Sequence, residues 1–447
     1  MTVAQQFDRT IAWLEDLYRR PHVPAATAGL RRAEFLLEQL GNPHLSFHSV
    51  HVAGTTGKGS TTTMIGSILQ AAGHRTGYFR SPHLETYRER IAVNEEMIDE
   101  TSWIRCFDRV AEVSEGMERG AFGQYELGRP TVFEVLFTMA ALHFQDNAVD
   151  WAAVETGMGG RLDATNTLHS DVAVVTNISL EHTRILGSTV EEIAAEKAAI
   201  IKAGCNAVTA ARDPAAQAVI AERATSQGVS LRRLDYDFFV TLRSRNPSSL
   251  ELTLSDNDGT LDVSLRVAGD FQALNAACAF GAARALQTRG VDVTDRDIVR
   301  GLAEASVPGR FEILSTSPFV VLDGGHNPAA MSELGSSLRS YFPDRRIVLL
   351  FAALDDKDVA AMAVEIDDSV KTVVVTRAPG SERATDPAAL ARFFTGESAT
   401  ILVHEDASDA LRASLLDAGP EDVLVVAGSL YLVGWVRSQL VKTGAAL

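Results

Sequence analysis

HSVHVAGTTGKGS, residues 48–60, is the stretch that decides the fold. His48 to Ala53 reads as a short buried strand that opens into a glycine-rich turn carrying one lysine. Behind the turn, Met64, Ile65, Ile68 and Leu69 fall on one face of a helix. Strand, glycine-rich turn and helix together form the context of a phosphate-binding loop. Glycines let successive backbone N–H groups turn inward around phosphate oxygens, and the helix N-terminus adds a partial positive charge. Lys58 supplies a full one. Gly54, Thr55, Thr56, Gly57, Lys58, Gly59 and Ser60 are therefore candidate ATP contacts, although Gly54 precedes Lys58 by four residues only, shorter than the common loop. The bland alternative is a turn with a solvated lysine.

Working outward, strand and helix signals alternate, the pattern of a parallel α/β sheet. Val132, Val135, Leu136, Met139 and Leu142 mark an amphipathic helix, and strands fit Trp151 to Val154 and Val172 to Thr176. From Asp235 to Val267 the pattern changes to alternating strands with Asn257-Asp258-Gly259 as a turn signal, an antiparallel excursion. After Pro308-Gly309 the α/β alternation restarts, with strands at Val320 to Leu322, Ile347 to Phe351, Thr372 to Val375, Ile401 to His404 and Val423 to Val426. The expected class is α/β: a P-loop NTPase-like parallel-sheet domain over 1–307 and a smaller Rossmann-like α/β domain over 308–447.

Composition narrows the function classes. The chain has 447 residues, 46% apolar and 22% charged, the balance of a soluble globular protein of more than one domain. No stretch of about 18 apolar residues is free of charge, so no membrane span is expected. Cys106, Cys205 and Cys278 are too few and too scattered for a disulfide framework, which predicts a reducing, cytoplasmic setting. A net charge of −17 argues against a nucleic-acid partner, so any phosphate must be held by a local device.

Further motifs follow the loop in order. They are Ser81-Pro82-His83-Leu84, Glu89-Arg90-Ile91, Thr131-Val132-Phe133-Glu134, and the long run from Glu155 through Gly157, Gly159, Gly160, Leu162, Asp163 and Ala164 to Asn166. Beyond these come Ser179-Leu180-Glu181-His182, Glu196-Lys197-Ala198, Gln272 to Asn275, Pro308-Gly309-Arg310, Asp323-Gly324-Gly325-His326-Asn327-Pro328, Asp356-Lys357-Asp358 and Gly428-Ser429-Leu430-Tyr431. Each alone is weak. In this order over residues 48–431 they resemble the Mur ligase superfamily, and within it folylpolyglutamate synthase and dihydrofolate synthase. Thr56, Thr156, Glu181, Ala199 and Gly325 depart from that pattern without removing a charge or an apparent ligand.

The resemblance implies an ATP-dependent ligase that adds L-glutamate to a folate-type carboxylate, on dihydropteroate or a reduced folate, and acts as a monomer. It implies Asn275, Arg310 and Asp323 on the nucleotide; Thr131, Val132, Phe133, Glu134, Leu162, Asp163 and Ala164 around the pterin; and Arg90, His326, Ser429 and Tyr431 on glutamate. An arginine suits a carboxylate because its fork can bond both oxygens. Two Mg²⁺ ions are implied, with Ser81 and Glu155 on one and His182 on the other. Lys58, Lys197, His182 and His326 are the implied catalytic set.

Read physically, Glu155 and His182 lie just past strand signals, at the strand ends that form the ligand crevice of open α/β sheets. Plain alternatives are a capping or paired carboxylate for Glu155 and a backbone-satisfied histidine for His182. Lys197 falls on the apolar stripe Val190, Ile193, Ala194, Ile200 and Ile201 of one expected helix. A buried ammonium is costly, and a lysine of lowered pKa exposes an amine that accepts CO₂. An N6-carboxylysine ligating magnesium is what the resemblance implies there, against a lysine that snorkels or pairs with Glu196 or Glu192. Two rival functions stay open: a Mur-type ligase acting on a cell-wall substrate, and a P-loop ATPase without ligase activity. The former usually carries a separate substrate domain before the loop, and only 53 residues precede Gly54.

Overall fold

A computed structural model describes residues 1–20, 25–119, 127–366, 370–394 and 399–442. The apolar run before the glycines forms β1 (His48–Ala53), buried from Ser49 onward. Around it lie β2 (Thr76–Phe79), β3 (Ile91–Val93), β4 (Glu96–Met97), β5 (Trp151–Glu155), β6 (Val172–Val175), β7 (Asn206–Thr209) and β8 (Leu231–Arg233). They build one sheet in the order β4-β3-β2-β5-β1-β6-β7-β8. From β2 to β8 every pairing is parallel, and only β3 and β4 turn antiparallel at the edge. Both faces of the central strands are covered, which is why they read as continuous apolar runs without alternation. Trp151 and Ala153 enter one core while Ala152 and Val154 enter the other.

The excursion folds as β9 (Phe238–Asn246), β10 (Ser249–Asp256) and β11 (Gly259–Leu265), an antiparallel sheet in the order β11-β10-β9. Its apolar face joins helix Gln272–Thr288 in the core beneath β1. The restarted alternation gives β12 (Glu312–Thr316), β13 (Phe319–Leu322), β14 (Ile347–Phe351), β15 (Val370–Val375), β16 (Thr400–Val403) and β17 (Val423–Ala427). This sheet runs β12-β13-β17-β14-β15-β16 and is parallel apart from β12. The structure is thus the α/β class expected, with two parallel sheets in sequence.

One expected helix is shorter than its pattern. It begins at Val190 with Thr189 and Glu192 in a capping box, and it ends at Ala198. Ile200 and Ile201 stay buried, but in a tightened turn where Ile200 N–H donates to the Lys197 carbonyl. Apolar periodicity cannot tell that turn from another helical one. Three long helices were not read from the sequence: Val3–Arg19, Ala25–Gln39 and Glu100–Glu118. Among the described residues no helix is long and apolar enough to cross a membrane.

The helix that carries the phosphate loop, Lys58–Ala71, is clamped from behind. Helix Asp295–Glu304 crosses it at Gly301, where an added Cβ would lie 2.4 Å from Ile68 Cα. Ser67 Oγ also donates to the Gly301 carbonyl at 2.7 Å. Only glycine permits so close an approach to another helix's backbone. Gly301→Ala is expected to lower the unfolding free energy by about 1–3 kcal/mol through overpacking, read from the urea midpoint at unchanged slope.

Candidate active site

The phosphate loop is held by the strand next door. Thr55 N–H donates to the Asn177 carbonyl at 2.9 Å, and Thr56 N–H to Asn177 Oδ1 at 2.8 Å. Thr176 Oγ1 donates to the Thr56 carbonyl at 2.8 Å. The fit leaves no room for side chains at the turn. A Cβ on Gly54 would sit 1.8 Å from Thr176 Oγ1, and one on Gly57, at φ +79°, 2.1 Å from Asn275 Oδ1. Lys58 Nζ folds back onto the carbonyls of Gly54 and Thr55, each at 3.0 Å, which puts its charge over the loop.

Glu155 ends β5 beside this loop, almost fully buried. Its Oε2 accepts from Ser81 N–H at 2.8 Å, and no cation lies within ion-pair distance among the described residues. Burial raises its pKa, opposed first by the Lys58 charge. A buried carboxylate short of partners, beside a phosphate loop, suits Mg²⁺, which takes one or two carboxylates and fills its remaining positions with phosphate oxygens and water. Among the described residues no three His, Cys, Asp or Glu side chains gather as a group that could hold an ion alone. His182 lies in the same cavity in a left-handed conformation, φ 44°, at the start of a short helix.

Lys197 lies 1% exposed and reaches the same loop from beneath. Its Nζ donates to the Gly54 carbonyl at 2.7 Å and to Glu181 Oε1 at 2.5 Å. The partner is therefore Glu181 and not Glu196 or Glu192, the two near it in sequence. Glu196 pairs with Arg161, and Glu192 closes its own helix cap. Burial and then Lys58 lower the Lys197 pKa to about 8. As an ammonium the side chain is paired with the Glu181 carboxylate.

Across the cavity stand Asn275, Arg310 and Asp323, from both sheets' surroundings. Asp323 is less free than expected: Oδ1 accepts from Gly325 N–H at 2.7 Å and Oδ2 from Phe311 N–H at 2.9 Å. Arg90, His326, Ser429 and Tyr431 line a second, adjoining pocket, joined to the first through Pro82 and His326. Arg90 Nε donates to His83 Nδ1 at 3.0 Å, and among the described residues no carboxylate lies within ion-pair distance of its guanidinium. His326 Nδ1 donates to the Gly324 carbonyl at 2.8 Å, so Nε2 is its acceptor, and burial lowers its pKa to about 4. Ser429 Oγ is buried without a partner.

The residues expected around the pterin divide. Phe133 packs against Gly157, where an added Cβ would meet its ring at 2.7 Å, and keeps a partly open face, as does Leu162. Val132 and Ala164 belong to the core, and Thr131 caps helix Val132–Asp146 in a box with Glu134. The Glu134 carboxylate is bound by the Arg32 guanidinium at 2.9 to 3.2 Å, both buried. Asp163 ties down Gly157 N–H, Met158 N–H and Thr165. These two carboxylates hold the walls and offer little to a ligand. The sequence reading missed Glu181, Asn177, His83, Lys357 and Glu333, all at or against the site. His83, Glu181 and Lys357 stood within quoted motifs but were given no role; Asn177 and Glu333 carried no motif signal.

Residues 52–283 match the Mur ligase middle domain, and residues 309–430 the Mur ligase glutamate ligase domain. Folylpolyglutamate synthase of Lacticaseibacillus casei is 34% identical over 97% of this chain and 98% of its own. The dihydrofolate synthase/folylpolyglutamate synthase of Escherichia coli is 33% identical over 95% and 93%. Mycobacterium tuberculosis folylpolyglutamate synthase with ADP superposes at TM-score 0.89, 30% identical, covering 98% of this chain and 99% of that one. Escherichia coli FolC, solved with DHPP and ADP, gives 0.85 at 30% identity and covers 98% of each. The fold and site define a Mur-type ligase. The chain belongs to the folylpolyglutamate synthase/dihydrofolate synthase family, which are ATP-dependent ligases.

Arg32 is buried with Glu134 as its counter-charge, beside a further bond to the Leu127 carbonyl. Glu134→Ala is expected to cost about 3–5 kcal/mol of stability because Arg32 loses its carboxylate, measured by chemical denaturation.

Proposed function

We propose that the chain joins L-glutamate to the carboxylate of a dihydropteroate or reduced folate, with ATP cleaved to ADP and phosphate. The observation that carries this reading is the meeting of two pockets at Pro82 and His326, one lined by the phosphate loop and the other by Arg90 and Ser429. In the first, the backbone of Gly54 to Ser60 and Lys58 hold the triphosphate, with Arg310 reaching it from the second sheet's side. Magnesium bound by Glu155 and Ser81 would screen the charge on the transferred phosphoryl group.

The folate substrate keeps its pterin against Phe133 and Leu162; its carboxylate, at the other end, attacks the γ-phosphorus, and the P–O bond to ADP breaks. An acyl phosphate results. In the second pocket Arg90 takes a carboxylate of glutamate with both prongs of its fork, and Ser429 Oγ donates beside it. The glutamate amine attacks the acyl carbon, the C–O bond to phosphate breaks, and His326 Nε2 lies at the junction as an acceptor for the amine proton. Division at 307/308 fits this scheme, because Arg310 and His326 then arrive with one unit and Lys58 with the other. Three buried, free cysteines support a reducing cytoplasmic setting.

ADP release is expected only when folate substrate and L-glutamate are both present, with a product one glutamyl unit heavier by mass spectrometry. AMP and pyrophosphate as products would sink the acyl phosphate.

Lys197 is part of the same proposal. Its amine, unprotonated more readily than an ordinary lysine, bonds the carbon of CO₂ and loses a proton to give a carbamate. That turns the charge beneath Gly54 from positive to negative and supplies the oxygen ligand an ion near His182 lacks. Lys197→Ala is expected to lose most turnover, with part restored by bicarbonate or a short carboxylic acid. A purely structural pair with Glu181 gives a different result: stability falls by about 3–5 kcal/mol and added acids restore nothing.

A further inference from the structure

Glu333 is an acidic group at the nucleotide cavity that the mechanism leaves idle. It stands on helix Pro328–Tyr341, outside the first sheet's unit, and reaches over to the phosphate loop. Its Oε1 accepts from Thr56 Oγ1 at 3.1 Å, while Oε2 meets no donor among the described residues. No cation lies within ion-pair distance of it there either. Burial pushes its pKa up to about 7, with Thr56 opposing and Asp323 reinforcing the shift. A half-buried carboxylate in this condition is short of donors.

The cavity says which donors would arrive. Phosphates held by Gly54 to Ser60 fix one end of the nucleotide, so the sugar and base must run along the remaining walls. Those walls include Phe271, Asn275, Asp323 and Glu333. A ribose carries two adjacent hydroxyls, both able to donate, and a carboxylate is their natural acceptor. Asp323 already accepts a backbone N–H on each oxygen. Glu333 keeps a whole oxygen open.

We infer that Glu333 accepts hydrogen bonds from the ribose hydroxyls of the bound nucleotide, so that the second α/β unit reads the sugar while the first holds the phosphates. The inference rests on the nucleotide reading of the phosphate loop. It also makes a 2′-phosphorylated nucleotide a poor ligand, because two anions would face each other.

Calorimetric binding of ADP and of 2′,3′-dideoxy-ADP to the full chain tests it. The unsubstituted protein should prefer ADP by roughly tenfold or more, the range for hydrogen bonds to a charged group. Glu333→Ala should lose most of that preference by weakening ADP while leaving the dideoxy compound nearly unchanged. Glu333→Gln, which keeps one acceptor oxygen, should fall between. A melting temperature for each variant shows that the fold is intact. Equal weakening of both ligands would mean that Glu333 acts only through Thr56, and would overturn the inference. So would a preference that survives in Glu333→Ala, or none in the unsubstituted protein. Failure of the unsubstituted protein to bind ADP at all would overturn the nucleotide reading and this inference together.

Discussion

Everything at the site depends on a turn that has no room for side chains. Gly54 and Gly57 both take left-handed φ, and a Cβ on either would collide with Thr176 or Asn275. The turn is pressed between the end of β6 and the start of helix Gln272–Thr288, and its carbonyls are taken up by Thr176, Lys58 and Lys197. With these carbonyls engaged, and the Thr55 and Thr56 N–H groups spent on Asn177, the first-turn N–H groups of helix Lys58–Ala71 are the donors left for the cavity. That is the polarity a phosphate requires. The loop is thus a product of three neighbouring strand ends, and a change at Lys197, far off in sequence, acts directly on Gly54.

The second constraint is the cost of burying charge. Glu155 is buried and Arg90 partly buried beside the crevice, and among the described residues neither has an opposite charge within ion-pair distance. A fold under selection for stability alone would pair them, as it pairs Arg32 with Glu134 at a site away from the crevice. The unpaired groups are of opposite sign and line adjoining parts of the site. One is short of an anion, the other of a cation. In the proposed function a dicarboxylate amino acid would supply the first and a magnesium–nucleotide complex the second.

Sequence periodicity revealed the parallel strands because burial on both faces leaves runs such as Ile347–Phe351, whose bounds match β14. It overran at Ile200 and Ile201, which are buried in a turn and mimic a helical stripe. The flanking helices escaped because no motif anchored them, and β3 and β4 are too short to show a period. Among site residues, Gly54 to Ser60 were legible because backbone geometry demands glycine at fixed spacing. Glu181 beside Lys197, and Glu333 beside Thr56, were not: each meets its partner only through the fold. Asp163 and Glu134 were legible as motif members, but not in what their carboxylates do in the fold. They sit within motifs, yet their carboxylates bind the protein's own N–H groups and Arg32.

An excess of 17 negative charges sets the terms for binding ligands that are themselves anionic. Long-range attraction cannot gather ATP, folate and glutamate to such a surface. Attraction has to come from groups a few ångströms away, and Lys58, Arg310, Arg90 and Lys357 are concentrated at the junction where both sheets end. Fields from so few cations are screened within about 8–10 Å at ordinary ionic strength, so they work only once water has been displaced. Groups from the second sheet's side, Arg310 and His326 among them, lie against cavities whose floor belongs to the first. Bringing the two sides together therefore strengthens the same contacts that select the ligands, and it shields an acyl phosphate from hydrolysis. In an acidic protein of this construction, charge recognition and water exclusion are one physical event.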